Sequence, residues 1–241
     1  MRDTVSDVWT GKEDFDFLKR FPIYKARRGF LERKMQVDSH VRSFEAGSGP
    51  AHDSLILAEK GAEVTAFDQS ETALSVGKVE YSRLGYHLET ICGDLRSIPV
   101  EDDTYDLVWN AGVIEHFRPG DDLQVIAEMK RITRPGGVVL VIVPNTFYFL
   151  YQVSLKRNPH RQYHFERSLT RFSLIRLMRE AGLHNLKASG DYVHPNLSFC
   201  LPGTALISKF LEKAFMPLEN ANRYDAVKSL IGLEVAAWGK K

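Results

Sequence analysis

"SFEAGSGPAHD", residues 43–53, decides how this chain folds. It places Gly47 and Gly49, with Ser48 and Pro50, between a short apolar run and a helical pattern. A carboxylate, Glu45, stands just ahead of the first glycine. A glycine-rich turn from strand to helix is a common seat for a nucleotide. Its neighbours narrow the choice. A phosphate loop of the form G-x-x-x-x-G-K-[ST] needs a lysine for the phosphates, but Pro50, Ala51, His52 and Asp53 follow Gly49, and an aspartate repels phosphate. A dinucleotide loop G-x-G-x-x-G needs a third glycine for close helix–strand packing, and His52 occupies that position. A tight turn without a ligand is the plain alternative.

Outward from this turn, apolar runs at 40–45, 63–67, 87–91, 105–110 and 137–143 alternate with helical patterns at about 51–60, 71–83 and 120–133. Strand, crossover helix, strand, repeated, predicts a parallel sheet with helices on both faces. Ser70 is placed to cap the 71–83 helix and Gly85 to end it. "RPGG" at 134–137 is expected to end one helix and open the long apolar strand. Residues 170–182 carry a helical repeat between Thr170 and Gly182. A strand near 185–193, a helical insertion at 204–229 and a last strand, "IGLEVAAW", complete the pattern. Residues 1–38, charged and aromatic, read as a helical cap outside the sheet.

The 241 residues, 44% apolar and 26% charged, suit a globular chain with a substantial core. Cys92 and Cys200 form neither a disulfide framework nor a metal-ligand spacing, which fits a reducing cytoplasm. The opening residues mix charges and do not read as a leader. The uncharged stretch 136–155 is broken by Pro144-Asn145, so it is expected to be a buried strand running into a loop rather than a membrane span.

Three acids follow three consecutive strands: Glu45, Asp68 and Asp94. In a parallel sheet those strand ends open onto one crevice. A ligand with a cationic amine, a ribose and an adenine, and no phosphate, suits that arrangement. Glu45 is expected to take the amine, and Asp68, about twenty residues after the loop, the ribose hydroxyls.

These residues give the sequence a resemblance to the class I S-adenosylmethionine-dependent methyltransferases, from about Val41 to Val143 and more loosely beyond. The family's acid-x-G-x-G-x-G loop is similar to Glu45-Ala46-Gly47-Ser48-Gly49-Pro50-Ala51, with Ala51 replacing the last glycine. Its ribose acid matches Asp68, and its adenine-side "GD" matches Gly93-Asp94, with Leu95 alongside. "YDLVWNAGVIEH" matches its fourth strand and the E-H motif of its small-molecule branch. The resemblance implies a Rossmann-like α/β fold: a doubly wound, mostly parallel seven-stranded sheet with its last strand antiparallel. It implies a single domain comprising the cap (1–38), a cofactor-binding core (39–145), and a substrate-side lid with the C-terminal strands (146–241). It also implies S-adenosylmethionine as cofactor, held by Glu45, Ala46, Gly47, Gly49, Asp68, Gln69, Asp94, Leu95 and Asn110. Asn110 would contact the methionine moiety.

On the acceptor side the resemblance offers Glu115, His116 and His164 as catalytic candidates. His116 is suited to be a general base, or the Glu115-His116 pair braces its loop; both readings stay open. His160 and His164 stand four apart, but Pro159 and the lack of a third ligand argue against a metal. The aromatics Phe147, Tyr148, Phe149 and Tyr151 either line a substrate pocket or pack a lid. The expected partner is a small-molecule or lipid-like methyl acceptor. RNA or protein methylation, and a silent cofactor-binding regulator, are the alternatives, and no RNA-binding module or base-methylation tetrapeptide supports nucleic acid.

Charge is unevenly spread. Residues 12–42 hold nine Lys/Arg against five Asp/Glu, and 156–179 hold seven against one, on a chain of net charge +1. If both segments overhang the crevice they would favour an anionic acceptor, with Arg27, Arg28, Arg161 and Arg167 as contacts.

Overall fold

The structure, a computed structural model, describes Phe15 and residues 22–35, 37–148, 150, 153, 166–167, 169–191, 193, 203–220 and 224–241. In chain order the elements are α1 (Pro22–Lys34), β1 (Arg42–Ala46), α2 (Leu55–Glu59), β2 (Glu63–Asp68), α3 (Glu71–Arg83), β3 (Glu89–Cys92) and β4 (Tyr105–Ala111). After a short turn at Ile114–His116 come α4 (Asp121–Ile132), β5 (Thr133–Pro144), α5 (Arg171–Glu180), β6 (His184–Asp191), α6 (Ala205–Asn220), α7 (Asp225–Ile231) and β7 (Glu234–Lys240).

All seven strands join one sheet in the order β3-β2-β1-β4-β5-β7-β6. β1 pairs in parallel with β2 and β4, β2 with β3, and β4 with β5, while β7 runs antiparallel between β5 and β6. The strand order reverses beside β1, which opens a crevice at the carboxyl ends of the strands.

Helices cover both faces, so the central strands are buried on both sides and read as continuous apolar runs. On one face Ile126 and Met129 of α4 and Leu174 and Met178 of α5 pack on Phe44, Val108 and Val141. On the other, Phe30 and Leu31 of α1, Leu55 and Ile56 of α2 and Tyr81 of α3 pack on Trp109, Leu140 and Ile142. The edge strand β3 is only half covered.

Local signals act as the sequence indicates. The Ser70 side chain accepts the Ala73 N–H, and Thr170 forms a reciprocal capping box with Ser173. Asp121 and Asp122 open α4 while Lys130 and Arg131 close it, matching the helix dipole. Three boundaries differ. The helix expected over 51–60 shortens to α2, because the loop after Gly49 turns tightly until Ser54. "RPGG" lies inside β5 rather than ahead of it: Thr133 Oγ1 bonds the Met129 carbonyl, ending α4, and Thr133 already pairs with Tyr105. The insertion at 204–229 is two helices, α6 and α7.

Candidate functional site

The crevice is built by the turn after β1. Gly47 and Gly49 take φ of +76° and +52°, the left-handed region that glycine enters freely. Ala51, where the motif has its last glycine, also takes a positive φ, +59°, and is fully buried. Close packing is supplied instead by Gly77 of α3. A methyl group there would lie 2.6 Å from the Pro50 carbonyl oxygen.

The donors of this loop are already used. Gly47 and Ser48 give their N–H groups to the Phe67 carbonyl at 2.7 and 3.0 Å. Gly49 gives its own to Asp68 Oδ2 at 2.8 Å, and Ala51 bonds the Ser48 carbonyl at 2.9 Å. A phosphate seat needs such groups aimed at the ligand, so this loop is not one. Asp68 also accepts the Ser70 N–H at Oδ1, 2.9 Å. Each carboxylate oxygen keeps a second lone pair for a ribose hydroxyl. The turn thus offers acceptors suited to a nucleoside and keeps the N–H groups of Gly47, Ser48, Gly49 and Ala51 for the protein.

Residues 44–141 match the family described as a methyltransferase domain. A demethylmenaquinone methyltransferase of Bacillus velezensis is 28% identical over 204 residues, which cover 75% of this chain and 87% of that protein. A protein of Mycolicibacterium smegmatis, named as a probable S-adenosylmethionine-dependent methyltransferase, is 32% identical over 138 residues, and the match spans only 50% of its length. In fold, a crystal structure of a SAM-dependent methyltransferase from Archaeoglobus fulgidus superposes with a TM-score of 0.63 at 16% identity, covering 95% of this chain and all of that one. Residues 44–141 are thus a methyltransferase domain, similar to S-adenosylmethionine-dependent methyltransferases.

In this methyltransferase the expected residues do not all face the crevice. Glu45 is buried, and its Oε2 accepts from Ser54 Oγ at 2.5 Å. Burial pushes its pKa well above the usual carboxylate range, and the nearby Asp53 adds to that. Its contact with Ser54 occupies Oε2 and fixes the carboxyl at the end of β1. Asn110 is also turned inward. It is fully buried on the α4 face of the sheet, its amide donating to Met129 Sδ at 3.3 Å. Its Oδ1 is buried without a hydrogen-bond partner. The Ala46 side chain is likewise in the core, which leaves only its backbone to the crevice.

Other candidates stand at the strand ends. Leu95 is nearly buried beside Gly47, where a methyl group would lie 3.4 Å from Leu95 Cδ1 and under 3 Å from both Val113 methyls. Val113, missed in the sequence, therefore roofs the glycine turn. Gln69 is exposed next to Asp68. Asp94 is exposed and gripped by Arg96, with Nη2 to Oδ2 at 2.6 Å. That grip lowers the Asp94 pKa, and a pair so open to water is easily exchanged for a ligand.

The E-H motif divides. Glu115 is buried, while His116 is exposed at the end of its turn. A methyl group on Gly112 would lie 3.7 Å from Glu115 Oε1 and 3.9 Å from Arg27 Nη2, so these groups converge beside the end of β4. Burial pushes the Glu115 pKa up to about 8, so its carboxyl is largely neutral at pH 7. The Glu115 carbonyl accepts the Arg167 N–H at 3.0 Å, tying the motif to the segment ahead of α5. His164 and Arg161 lie outside the described residues, as do His160 and Phe149.

The arginines proposed to hold an anionic acceptor are engaged by the protein. Arg27 Nε reaches Glu234 at 2.9 Å and its Nη1 pairs with Asp53. Burial alone would lower its pKa, but the two carboxylates raise it well above the ordinary value. Arg28 pairs with Glu59 at 2.6 Å, and Arg167 with Asp122. The charge count overlooked these acids because they come from distant stretches. These acids hold Arg27 and Arg28, while Arg167 keeps a buried Nε without a hydrogen-bond partner. A groove of about 610 Å³, lined by Lys78, Ser82, Tyr86, His87 and Glu89, lies at the amino end of β3, opposite the crevice. It takes no part in the site. Among the described residues no group of His, Cys, Asp or Glu is arranged to hold a metal.

Proposed function

We propose that this chain transfers the methyl group of S-adenosylmethionine to a small, lipid-like acceptor. The observation that carries the acceptor class is the apolar rim. Phe147 and Phe172 are 53% and 65% exposed, each two or three residues beyond one end of the Asn145–Leu169 bridge that follows β5, while Arg27 and Arg28 are paired with protein carboxylates. The demethylmenaquinone methyltransferase of Bacillus velezensis, matched over most of its length, supports the same class.

Bound S-adenosylmethionine supplies a methyl group already activated on a sulfonium, so the protein's task is alignment, exclusion of water and removal of a proton. In this reading Asp68 takes the ribose hydroxyls, and Asp94 and Leu95 take the adenine side. The backbone of Ala46, Gly47, Gly49 and Gln69 shapes the floor. His116, exposed beside the rim, takes the acceptor's proton. Glu115, buried and neutral behind it, holds the loop.

The test supplies methyl-labelled S-adenosylmethionine with a demethylated quinol lipid or with water-soluble carboxylates. Label should pass to the lipid acceptor. His116→Ala should lower that rate by about 10²–10⁴ with cofactor affinity unchanged. Transfer only to the carboxylates, or no turnover with the cofactor bound, contradicts the reading.

A further inference from the structure

The chain leaves the sheet after β6 at Asp191 and returns at Glu234, which pairs with both Asp191 and Pro144. The described helices between these points, α6 and α7, therefore follow an exit at the crevice edge of the sheet. α6, in this insertion, has two unlike faces. Leu211, Phe215 and Leu218 are half-buried and Ser208 is buried. The opposite face carries Ile207, Phe210, Ala214 and Pro217 at spacings of three and four residues, with Leu206 alongside. Leu206, Ile207 and Phe210 are 81%, 53% and 70% exposed. Helical spacing places Lys209 and Lys213, both exposed, along one flank of this stripe, while Glu212 falls on the half-buried side.

We infer that the outer face of α6 seats this methyltransferase on an anionic lipid surface. An apolar stripe with flanking lysines is the pattern of a helix that lies in a membrane interface: the apolar side chains enter the acyl boundary and the ammonium groups meet anionic headgroups. α6 does not span a bilayer, as no described helix is long and apolar enough. A second copy of the chain is a poor occupant. A 16-residue helix makes a ridge roughly 24 Å long and about 10 Å wide, about 240 Å², against about 800 Å² per partner in a stable interface. A lipid surface needs no such matching area. Because α6 hangs from the crevice edge, this seating brings the mouth of the site to the bilayer. The inference builds on the lipid-like reading of the acceptor, but its test needs no methyl transfer.

The test is co-sedimentation of the full chain, without cofactor, with vesicles of phosphatidylcholine alone or mixed with phosphatidylglycerol. Binding to the mixed vesicles should exceed binding to the neutral ones by about tenfold or more, and Lys209→Glu with Lys213→Glu should abolish that preference. Leu206→Ser with Phe210→Ser should remove binding to both, with thermal unfolding unchanged because these side chains are solvent-facing. No binding to either vesicle, unchanged binding by the serine variant, or a dimer in buffer that Phe210→Ser dissolves would overturn the inference. Failure of methyl transfer alone leaves it standing.

Discussion

Asp68 Oδ2 accepts the backbone N–H of Gly49 at 2.8 Å, so the acid that ends the second strand also shapes the turn that ends the first. Replacing Asp68 with alanine removes this brace together with the carboxylate proposed to take the ribose hydroxyls. S-adenosylmethionine affinity should fall by roughly 2–3 kcal/mol, the range of hydrogen bonds to a charged group. Calorimetry on Asp68→Ala checks this, and unchanged affinity would remove Asp68 from the cofactor site.

Gly77 is where α3 presses on the loop. Gly77→Ala puts a methyl group 2.6 Å from the Pro50 carbonyl, which cannot move without disturbing Ala51, itself bonded to the Tyr81 hydroxyl. The overpacking should cost about 1–3 kcal/mol in stability, and cofactor affinity should fall with it. Chemical denaturation reads the first effect and calorimetry the second.

The sheet, its parallel direction and the glycine turn were legible because they rest on local periodicity and short-range chemistry. Strand ends, the Ser70 and Thr170 caps and the acid Asp68 all announce themselves within a few residues. The side-chain directions of Glu45 and Asn110 did not. Both stand in strands covered on each face, so alternation gives no way to tell a crevice-facing acid from one held by Ser54, or an amide aimed at ligand from one on Met129. Long-range pairing was equally hidden. Arg27 meets Glu234 across 207 residues, so a count of local charge mistook a satisfied cation for a free one. Val113 had a faint signal, as an apolar residue placed directly before the E-H turn.

The Arg27 knot gives a stability prediction. Arg27 ties α1 to the start of β7 and to the loop after β1, and Glu234 is 3% exposed. Arg27→Met leaves that carboxylate buried without its partner and should cost about 3–5 kcal/mol. Adding Glu234→Gln should restore part of the loss, because the amide carries no charge to strand. Thermal unfolding of the two variants tests the order, and equal stabilities would show that the pair is not coupled.

Glu115 predicts a pH dependence. Its folded pKa of about 8 lies above the ordinary carboxyl value of 4.5. Between those values the folded chain keeps a proton that the unfolded chain has released. Stability from this group is therefore full below about pH 4.5 and is lost as pH rises toward 8. Glu115→Gln removes the effect and should be more stable than the parent by up to roughly 3 kcal/mol at pH 7, with the gap closing at pH 5. Denaturant melts at the two pH values decide it, and a gap that does not change with pH places Glu115 in water.

The most direct measurement is calorimetric titration of the purified chain with S-adenosylmethionine, S-adenosylhomocysteine and a nicotinamide dinucleotide. With the loop's N–H groups turned to Phe67 and Asp68, both adenosyl ligands should bind at one site per chain, weakly or not at all in Asp68→Ala, and the dinucleotide should give no heat. Dinucleotide binding at that site, or no binding of either adenosyl ligand by the folded parent, would contradict the account.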